Sequence, residues 1–276
     1  MAFARRLRQL ALGQLVFGLL AGVLSTGVWA GELVKVASRD GVTVDYWLQA
    51  PEGNPPEVIA LLFVGGAGAL HLPQHVNGNG VAFPRGANFL VRIEDTLTST
   101  PVATALIDAP SDHPSGMDDG FRMGEVHAQD IGAVLDDLHA RFPAARRVLI
   151  GTSRGTVSAV YLATRLGDRI DGVILTSLVI KASPHGGPGL SGFDYGKLGV
   201  PLLLVQHRDD NCPSCPYDAV AKLADRFPLI TVQGGKPAET DECQPLSHHG
   251  YYGREEQVAA ALRAWMLHQP YPKDIE

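Results

Sequence analysis

Short continuous apolar runs recur along the chain, and segments of helical periodicity separate several of them. Runs of this kind are typical of strands that are covered on both faces of a sheet. Six runs predict strands, at positions 58–64, 103–107, 148–150, 172–175, 200–205 and 229–232. Two further segments, 32–37 and 43–50, alternate apolar and polar residues around Arg39-Asp40-Gly41, which predicts a hairpin.

Three segments are predicted as helices, at 127–142, 156–166 and 255–267. In the first of them, Ile131, Leu135 and Leu138 fall on one helical face. Strands that alternate with helices in this way indicate a mostly parallel central sheet with helices on both faces. No repeat, low-complexity tract or linker divides the sequence, so we expect a single α/β domain.

The composition narrows the class of partner. The chain has 276 residues, of which 45% are hydrophobic and 19% are charged, and its formal net charge is -6. These values are ordinary for a globular domain with a large core. No basic block lies beyond the extreme N-terminus, so the sequence argues against nucleic acid as a partner.

The N-terminal segment has the pattern of a secretory signal peptide. Three arginines within the first eight residues precede the nearly continuous apolar stretch 10–24. Val28 and Ala30 then provide small side chains at the -3 and -1 positions of a cleavage site before Gly31. We therefore expect residues 1–30 to be removed, which leaves a periplasmic or secreted domain over 31–276 with no membrane attachment. The alternative is an uncleaved membrane anchor, because the apolar stretch is long for a signal sequence.

A candidate nucleophile follows the predicted strand 148–150. There the sequence Gly151-Thr152-Ser153-Arg154-Gly155 leads directly into a predicted helix. A strand, a G-x-S-x-G segment and a helix form the pattern of a nucleophile elbow. The turn is so tight that side chains two residues either side of the serine would collide with neighbouring backbone. The alternative is a glycine-rich turn with no chemistry.

A glycine-rich loop follows the predicted strand 58–64. In a parallel sheet, ligands bind beyond the C-terminal ends of the strands. The backbone N–H of Gly66, or of Ala67 as second choice, is therefore a candidate partner for the N–H of Arg154 in an oxyanion hole. A phosphate-binding loop and a plain turn are the alternatives. No Gly-Lys-Ser/Thr follows, which excludes a Walker A motif, and a dinucleotide fingerprint cannot be placed there.

The candidate acid and base lie in two later loops. Asp210 is the preferred acid, because it lies farther from the end of its strand, where a carboxylate can reach back over the sheet; Asp209 is the alternative. His249, between the last strand and the last helix, is the preferred base because Gly250 and an aromatic residue follow it. His248 is the alternative base. An oriented histidine is what a serine needs to become a good nucleophile.

The remaining histidines are weaker candidates. His71 and His75 follow the glycine-rich loop and are candidates for substrate contact, while His185 is a candidate for the mouth of the site. We expect the others to be surface or packing residues: His113, His127, His139, His207 and His268.

From about residue 50 to its end, the sequence resembles the α/β-hydrolase superfamily, on the elbow, the later aspartate and the His-Gly-aromatic segment. The resemblance implies the α/β-hydrolase fold without a large lid and a triad of Ser153, Asp210 and His249. It also implies oxyanion donors at Gly66 and Arg154. The segment 63–66 departs from the family because it lacks the His-Gly common there, and the arginine after the serine fixes no subfamily.

The chemistry that this resemblance implies is the cleavage of a small-molecule ester by acyl transfer to water. It would need no metal and no organic cofactor. A serine peptidase, a thioesterase and a non-catalytic exported binding domain are the alternatives, whereas a dehalogenase would need an aspartate in place of Ser153. The segment after position 175 is too short for a lid domain, so we expect an open site with 112–123 at its rim.

The three cysteines fit the implied site. Export permits a disulfide, and a Cys212–Cys243 bridge would join the loop of the acid to the loop of the base. Cys215 is the competing partner of Cys243. A rival interpretation uses the same three cysteines with His248 or His249 as a Cys₃His zinc site.

Overall fold

The computed structural model describes residues 30–51, 53–77, 80–183 and 186–276. The predicted signal peptide, except its last residue, and the candidate His185 lie outside these ranges.

The described residues form eleven strands and seven α-helices. In order they are β1 (Ala30–Arg39), β2 (Val42–Ala50), β3 (Val58–Phe63), α1 (Leu72–His75), β4 (Val76–Asn77), β5 (Gly80–Val81), α2 (Phe89–Leu97), β6 (Val102–Ile107), α3 (Asp119–Arg122), α4 (Glu125–Arg141), β7 (Arg146–Thr152), α5 (Gly155–Leu166), β8 (Gly172–Thr176), β9 (Leu202–His207), α6 (Tyr217–Ala221), β10 (Leu229–Val232), α7 (Glu255–Met266) and β11 (Asp274–Ile275).

Nine strands form one twisted sheet in the order β1-β2-β6-β3-β7-β8-β9-β10-β11. The hairpin β1–β2 and the pair β2–β6 are antiparallel, and every later pair is parallel. The C-terminal ends of β3, β7, β8 and β9 therefore lie at one edge, where the loops that carry the candidate residues meet.

The core lies in two layers, one on each face of the sheet. Apolar residues of α4 and α5 cover one face, and those of α2 and α7 cover the other. Every residue of β3, β6, β8 and β9 is buried, which accounts for their continuous apolar sequences. The predicted fold class, a mostly parallel sheet with helices on both faces, is confirmed.

Several elements differ from the sequence prediction. The helix α2 was not predicted, although Phe89, Leu90, Ile93 and Leu97 form its buried face. Strand β9 runs from Leu202 to His207 rather than over 200–205. Within 177–183 and 186–201 the only helical turn is a short 3₁₀ turn at Tyr195–Lys197, so no large lid covers the edge of the sheet. None of the helices in the described segments is both long and apolar enough to span a bilayer.

Candidate active site

The turn after β7 places Ser153 at the C-terminal edge of the sheet. Its backbone φ is 51°, in the left-handed region that non-glycine residues rarely adopt. A Cβ at Gly155 would lie 1.9 Å from the carbonyl oxygen of Phe63, and a Cβ at Gly151 would lie 2.5 Å from that of Gly155. The two glycines are therefore required by close backbone approach, as a nucleophile elbow demands.

Asp210 and His249 form a buried pair beside this turn. Asp210 lies three residues after β9, and His249 lies in the 3₁₀ turn His248–Gly250. The two residues are 6% and 5% exposed. Nδ1 of His249 donates to Oδ2 of Asp210 at 3.0 Å, with Oδ1 at 3.3 Å. A neutral imidazole with its proton on Nδ1 leaves Nε2 as an acceptor, and Nε2 has no hydrogen-bond partner among the described residues.

Two neighbouring donors fix the carboxylate of Asp210. The side-chain amide of Gln206 donates to Oδ2 at 3.0 Å, and the backbone N–H of Cys212 donates to Oδ1 at 3.0 Å. Gln206 is itself held, because its Oε1 accepts from the N–H of Leu178 at 3.1 Å. The orientation of the acid is thus tied to strands β8 and β9.

The backbone of His249 is held by serine side chains on both sides. Its N–H donates to Oγ of Ser247 at 3.2 Å, and its carbonyl oxygen accepts from Oγ of Ser177 at 2.6 Å. Tyr251 closes this network, since its hydroxyl accepts from the N–H of Ser177 and donates to the carbonyl oxygen of Val205. These contacts restrict where the imidazole ring can point.

The alternative acid, Asp209, and the alternative base, His248, are in contact with each other through the backbone of Asp209. Asp209 is exposed, and its carbonyl oxygen accepts from Nδ1 of His248 at 3.2 Å. The ring of His248 stacks on His207 with 4.4 Å between the ring centroids. The carboxylate that contacts a histidine ring here is therefore that of Asp210, and the ring it contacts is that of His249. The alternatives Asp209 and His248 take no part in this pair.

The two histidines of the 70–77 segment do not line the cavity that contains Ser153 and His249. His71 precedes the short helix α1, and His75 packs against Phe83 with 4.5 Å between ring centroids.

Ser153 and His249 line the same cavity, which has a volume of about 210 Å³. Its wall consists of Gly65, Gly66, Asn88, Phe89, Thr152, Cys243, Gln244, Pro245 and Gly250. A more open recess of about 700 Å³ shares Gly66 with this cavity. Segment 115–120 lines that recess, which agrees with the expectation that 112–123 forms a rim.

Arg154 lines the recess and forms an ion pair with Asp119. Nη2 of Arg154 lies 2.6 Å from Oδ1 of Asp119, whose other oxygen accepts from the N–H of Gly189 at 2.8 Å. The positive charge of Arg154 is therefore balanced by a nearly buried carboxylate.

The loop after β3 passes directly against the candidate nucleophile. A Cβ at Gly65 would lie 2.8 Å from the Cβ of Ser153, and Gly66 has a φ of 60°. In the part of the chain that the structure describes, the amides of Gly66 and Arg154 donate to no protein acceptor. Gly66 lines both the cavity and the recess, whereas Ala67 lines the recess alone. This placement favours Gly66 over Ala67 as an oxyanion donor.

A disulfide joins Cys212 to Cys243, and Cys215 is a buried free thiol. The bridge links the loop of Asp210 to the loop that precedes His249. The thiol of Cys215 donates to the carbonyl oxygen of Ser177 at 3.2 Å. Because two of the three sulfurs share a covalent bond, this state of the protein does not offer the thiolates of a Cys₃His zinc site.

Gln206 and Ser177 were not predicted from the sequence as site residues. Both are completely buried polar residues at the C-terminal ends of strands. A polar side chain at the end of an otherwise apolar strand is the signal that points to them, because buried polar groups need partners.

Comparison with known proteins establishes the fold. No family model and no curated protein matches the sequence. Among solved structures, Est1E from Butyrivibrio proteoclasticus superposes with a TM-score of 0.59 at 18% identity, covering 86% of this chain and 98% of that one. A dienelactone hydrolase from Anabaena variabilis gives 0.59 at 16% identity, with coverages of 87% and 98%. The esterase domain of a Rhodothermus marinus protein gives 0.55 at 17%, with coverages of 85% and 97%. The chain has the α/β-hydrolase fold.

Proposed function

We propose that the protein is an exported serine hydrolase that cleaves an ester through a covalent acyl-enzyme. One observation carries the proposal: Ser153, on a strained turn, shares a cavity with His249, whose ring is oriented by Asp210 and whose Nε2 is left free of hydrogen bonds by the described residues. A serine hydroxyl needs such a base to become nucleophilic.

The proposed reaction has two halves. In the first, Oγ of Ser153 attacks the carbonyl carbon while Nε2 of His249 takes the hydroxyl proton and then passes it to the leaving group. Asp210 stabilises the imidazolium that forms. The amides of Gly66 and Arg154 stabilise the charge on the carbonyl oxygen. In the second half, His249 activates a water molecule that releases the acid and restores the serine.

Three observations favour a small ester as the substrate and export as the destination. The cavity of about 210 Å³ suits a small group, and no lid domain covers the described loops. Of the structurally similar proteins, one is described as an esterase domain and another as a dienelactone hydrolase. The N-terminal sequence pattern and the disulfide fit an oxidising compartment.

The test of this proposal compares Ser153→Ala and His249→Gln with the neighbouring change His248→Gln. Turnover of p-nitrophenyl acetate should fall at least about 10³-fold in the first two, because the triad acts as a unit. His248→Gln should retain most of the activity, since His248 contacts Asp209 and His207 instead. A fluorophosphonate probe should label the parent protein and not Ser153→Ala. Ester turnover that survives in Ser153→Ala would refute the proposal.

A further inference from the structure

Arg122, on α3, is a buried cation that the proposed reaction does not use. It is 1% exposed. A buried charge usually has an oppositely charged partner. Over residues 30–276, apart from positions 52, 78–79 and 184–185, no carboxylate forms an ion pair with it, whereas Arg154 in the adjoining recess is paired with Asp119. Asp119 and Asp118 attract the guanidinium only at longer range, so a direct ion pair does not explain the location of Arg122.

The guanidinium of Arg122 packs under the glycine-rich loop. Nη2 donates to the carbonyl oxygen of Gly66 at 3.1 Å, and Nη1 donates to Oγ of Ser158 at 2.9 Å. A Cβ at Gly68 would lie 2.4 Å from Nη2, so the loop backbone rests directly on the cation. Gly66 is the residue whose amide the proposed mechanism uses.

The second contact of Arg122 leads to a neutral histidine. An arginine can only donate, so Oγ of Ser158 accepts from Nη1 of Arg122, and the same oxygen is hydrogen-bonded to Nε2 of His127 at 3.1 Å. Burial, and then the charge of Arg122, lowers the pKa of His127 to about 3. Burial lowers the pKa of Arg122 to about 10, which leaves it charged at neutral pH. One positive charge thus remains in this network, beneath Gly66.

We propose that Arg122 is a positioning residue of the oxyanion hole. It anchors the carbonyl of Gly66, which lies in the peptide plane after that residue, and so restricts the backbone torsions that set the direction of the Gly66 amide. Glycine at a φ of 60° gains little rigidity from its own backbone, so an external anchor is required to hold one conformation. The buried charge also stabilises the negative oxygen that forms during acyl transfer, because electrostatic effects are strong where water is excluded. This inference rests on the proposed serine hydrolase function.

The test uses Arg122→Met and Arg122→Lys with two substrates, an ester and the same ester with its carbonyl oxygen replaced by sulfur. Sulfur accepts hydrogen bonds poorly, so a well-aimed oxyanion hole favours the oxygen ester. The ratio of the two kcat/KM values does not depend on how much of a variant is folded. We expect Arg122→Met to lower kcat for the oxygen ester about 10–100-fold, with KM changed much less, and to lower the ratio. Arg122→Lys keeps the charge but loses the two separate guanidinium nitrogens that contact Gly66 and Ser158. Its kcat and its ratio should lie between those of the parent protein and those of Arg122→Met.

Arg263→Met is the matched control, since Arg263 also donates to backbone carbonyls, those of Leu97 and Ser99. Its ratio should equal that of the parent protein. A parental kcat and ratio in Arg122→Met would overturn the inference; if that variant does not fold, an unchanged ratio in Arg122→Lys would do so. Neither result bears on the serine hydrolase proposal. That proposal is tested separately, by the activity of Ser153→Ala.

Discussion

At the scale of single residues, Gln206 is the side chain that connects the candidate acid to the rest of the sheet. Its amide nitrogen donates to Asp210 at 3.0 Å and to the carbonyl oxygen of Cys215 at 2.8 Å. Its amide oxygen accepts from the N–H of Leu178. A single buried side chain therefore serves three polar groups, and its loss would leave the N–H of Leu178 and the carbonyl oxygen of Cys215 without this partner.

Gln206→Leu should destabilise the protein and slow the reaction. Leaving Leu178 N–H and the carbonyl of Cys215 unpaired should lower the free energy of unfolding by about 2–4 kcal/mol. A less firmly held Asp210 should lower kcat about tenfold, which corresponds to about 1.4 kcal/mol. Urea denaturation and ester kinetics measure the two effects.

The matched control for that variant is Gln49→Leu. Gln49 is also buried in a strand, and its amide donates to Asp95 at 3.1 Å on the antiparallel side of the sheet. We expect kcat to stay within about twofold of the parent value. If both glutamine variants kept the parental kcat, the role given to Gln206 would be wrong.

The residue types of the site could be predicted from the sequence, but the network around them could not. The glycines around Ser153 form a local pattern, and the order serine, aspartate, histidine can be followed along the chain. Gln206 and Arg122 carry no such local signal. Their partners are backbone atoms far away in the sequence, 28 residues for Leu178 and 56 for Gly66. The catalytic assignment itself stays a prediction.

At the scale of elements, the long buried strands were the easiest to predict. Continuous apolar sequence marks β3 and β6, because helices cover both faces of the sheet there. Strand β9 continues through two polar residues, Gln206 and His207, whose side chains find partners inside the protein, and this displaced the predicted end. The two-residue strand β11 has no apolar pattern, since pairing with β10 alone defines it.

The disulfide is a covalent link between the loops that carry the candidate acid and the candidate base, and its removal should lower stability. Cys212 and Cys243 are 31 residues apart, and closing a loop of that size contributes roughly 3–4 kcal/mol in the chain-entropy model. We expect the double variant Cys212→Ser/Cys243→Ser to melt about 6–16 °C below the parent protein, as measured by calorimetry. Its kcat should also fall, because both loops hold candidate catalytic side chains.

Cys215→Ser tests whether the effect belongs to the bridge rather than to any lost sulfur. Its hydroxyl can still donate to the carbonyl oxygen of Ser177, and the bridge stays intact. We expect its melting temperature to lie much closer to the parent value than that of the double variant. A double variant that melts within about 2 °C of the parent would contradict a stabilising role for the bridge.

At the scale of the whole molecule, two buried titratable groups on opposite faces of the sheet have opposite effects on how stability depends on pH. Glu94 lies on α2, where burial and then Asp95 raise its pKa from 4.5 to about 8. His127 lies on α4, where burial and then Arg122 lower its pKa from 6.5 to about 3. Each is held in its neutral form in the folded protein, so each links folding to proton uptake or release.

The signs of these two pKa changes predict how stability depends on pH. Between pH 6.5 and 3, His127 is protonated in the unfolded protein and neutral in the folded protein. Its contribution to the free energy of unfolding therefore falls as the pH drops. Between pH 4.5 and 8, Glu94 is protonated in the folded protein and ionised in the unfolded protein. Its contribution to the free energy of unfolding therefore falls as the pH rises. Each contribution changes by about 1.4 kcal/mol per pH unit inside its window, and the two cancel from about pH 4.5 to 6.5.

Two single variants should separate the opposing contributions. Relative to the parent protein, Glu94→Gln should gain stability as the pH rises from about 4.5 to 8, because glutamine has no proton to release. His127→Gln should instead gain relative stability as the pH falls from about 6.5 to 3. Urea denaturation in steps from pH 3.5 to 8.5 gives both difference curves, from which the contributions of all unchanged groups cancel. A Glu94→Gln curve that runs parallel to the parent curve between pH 5 and 8 would show that Glu94 is ionised in the folded protein.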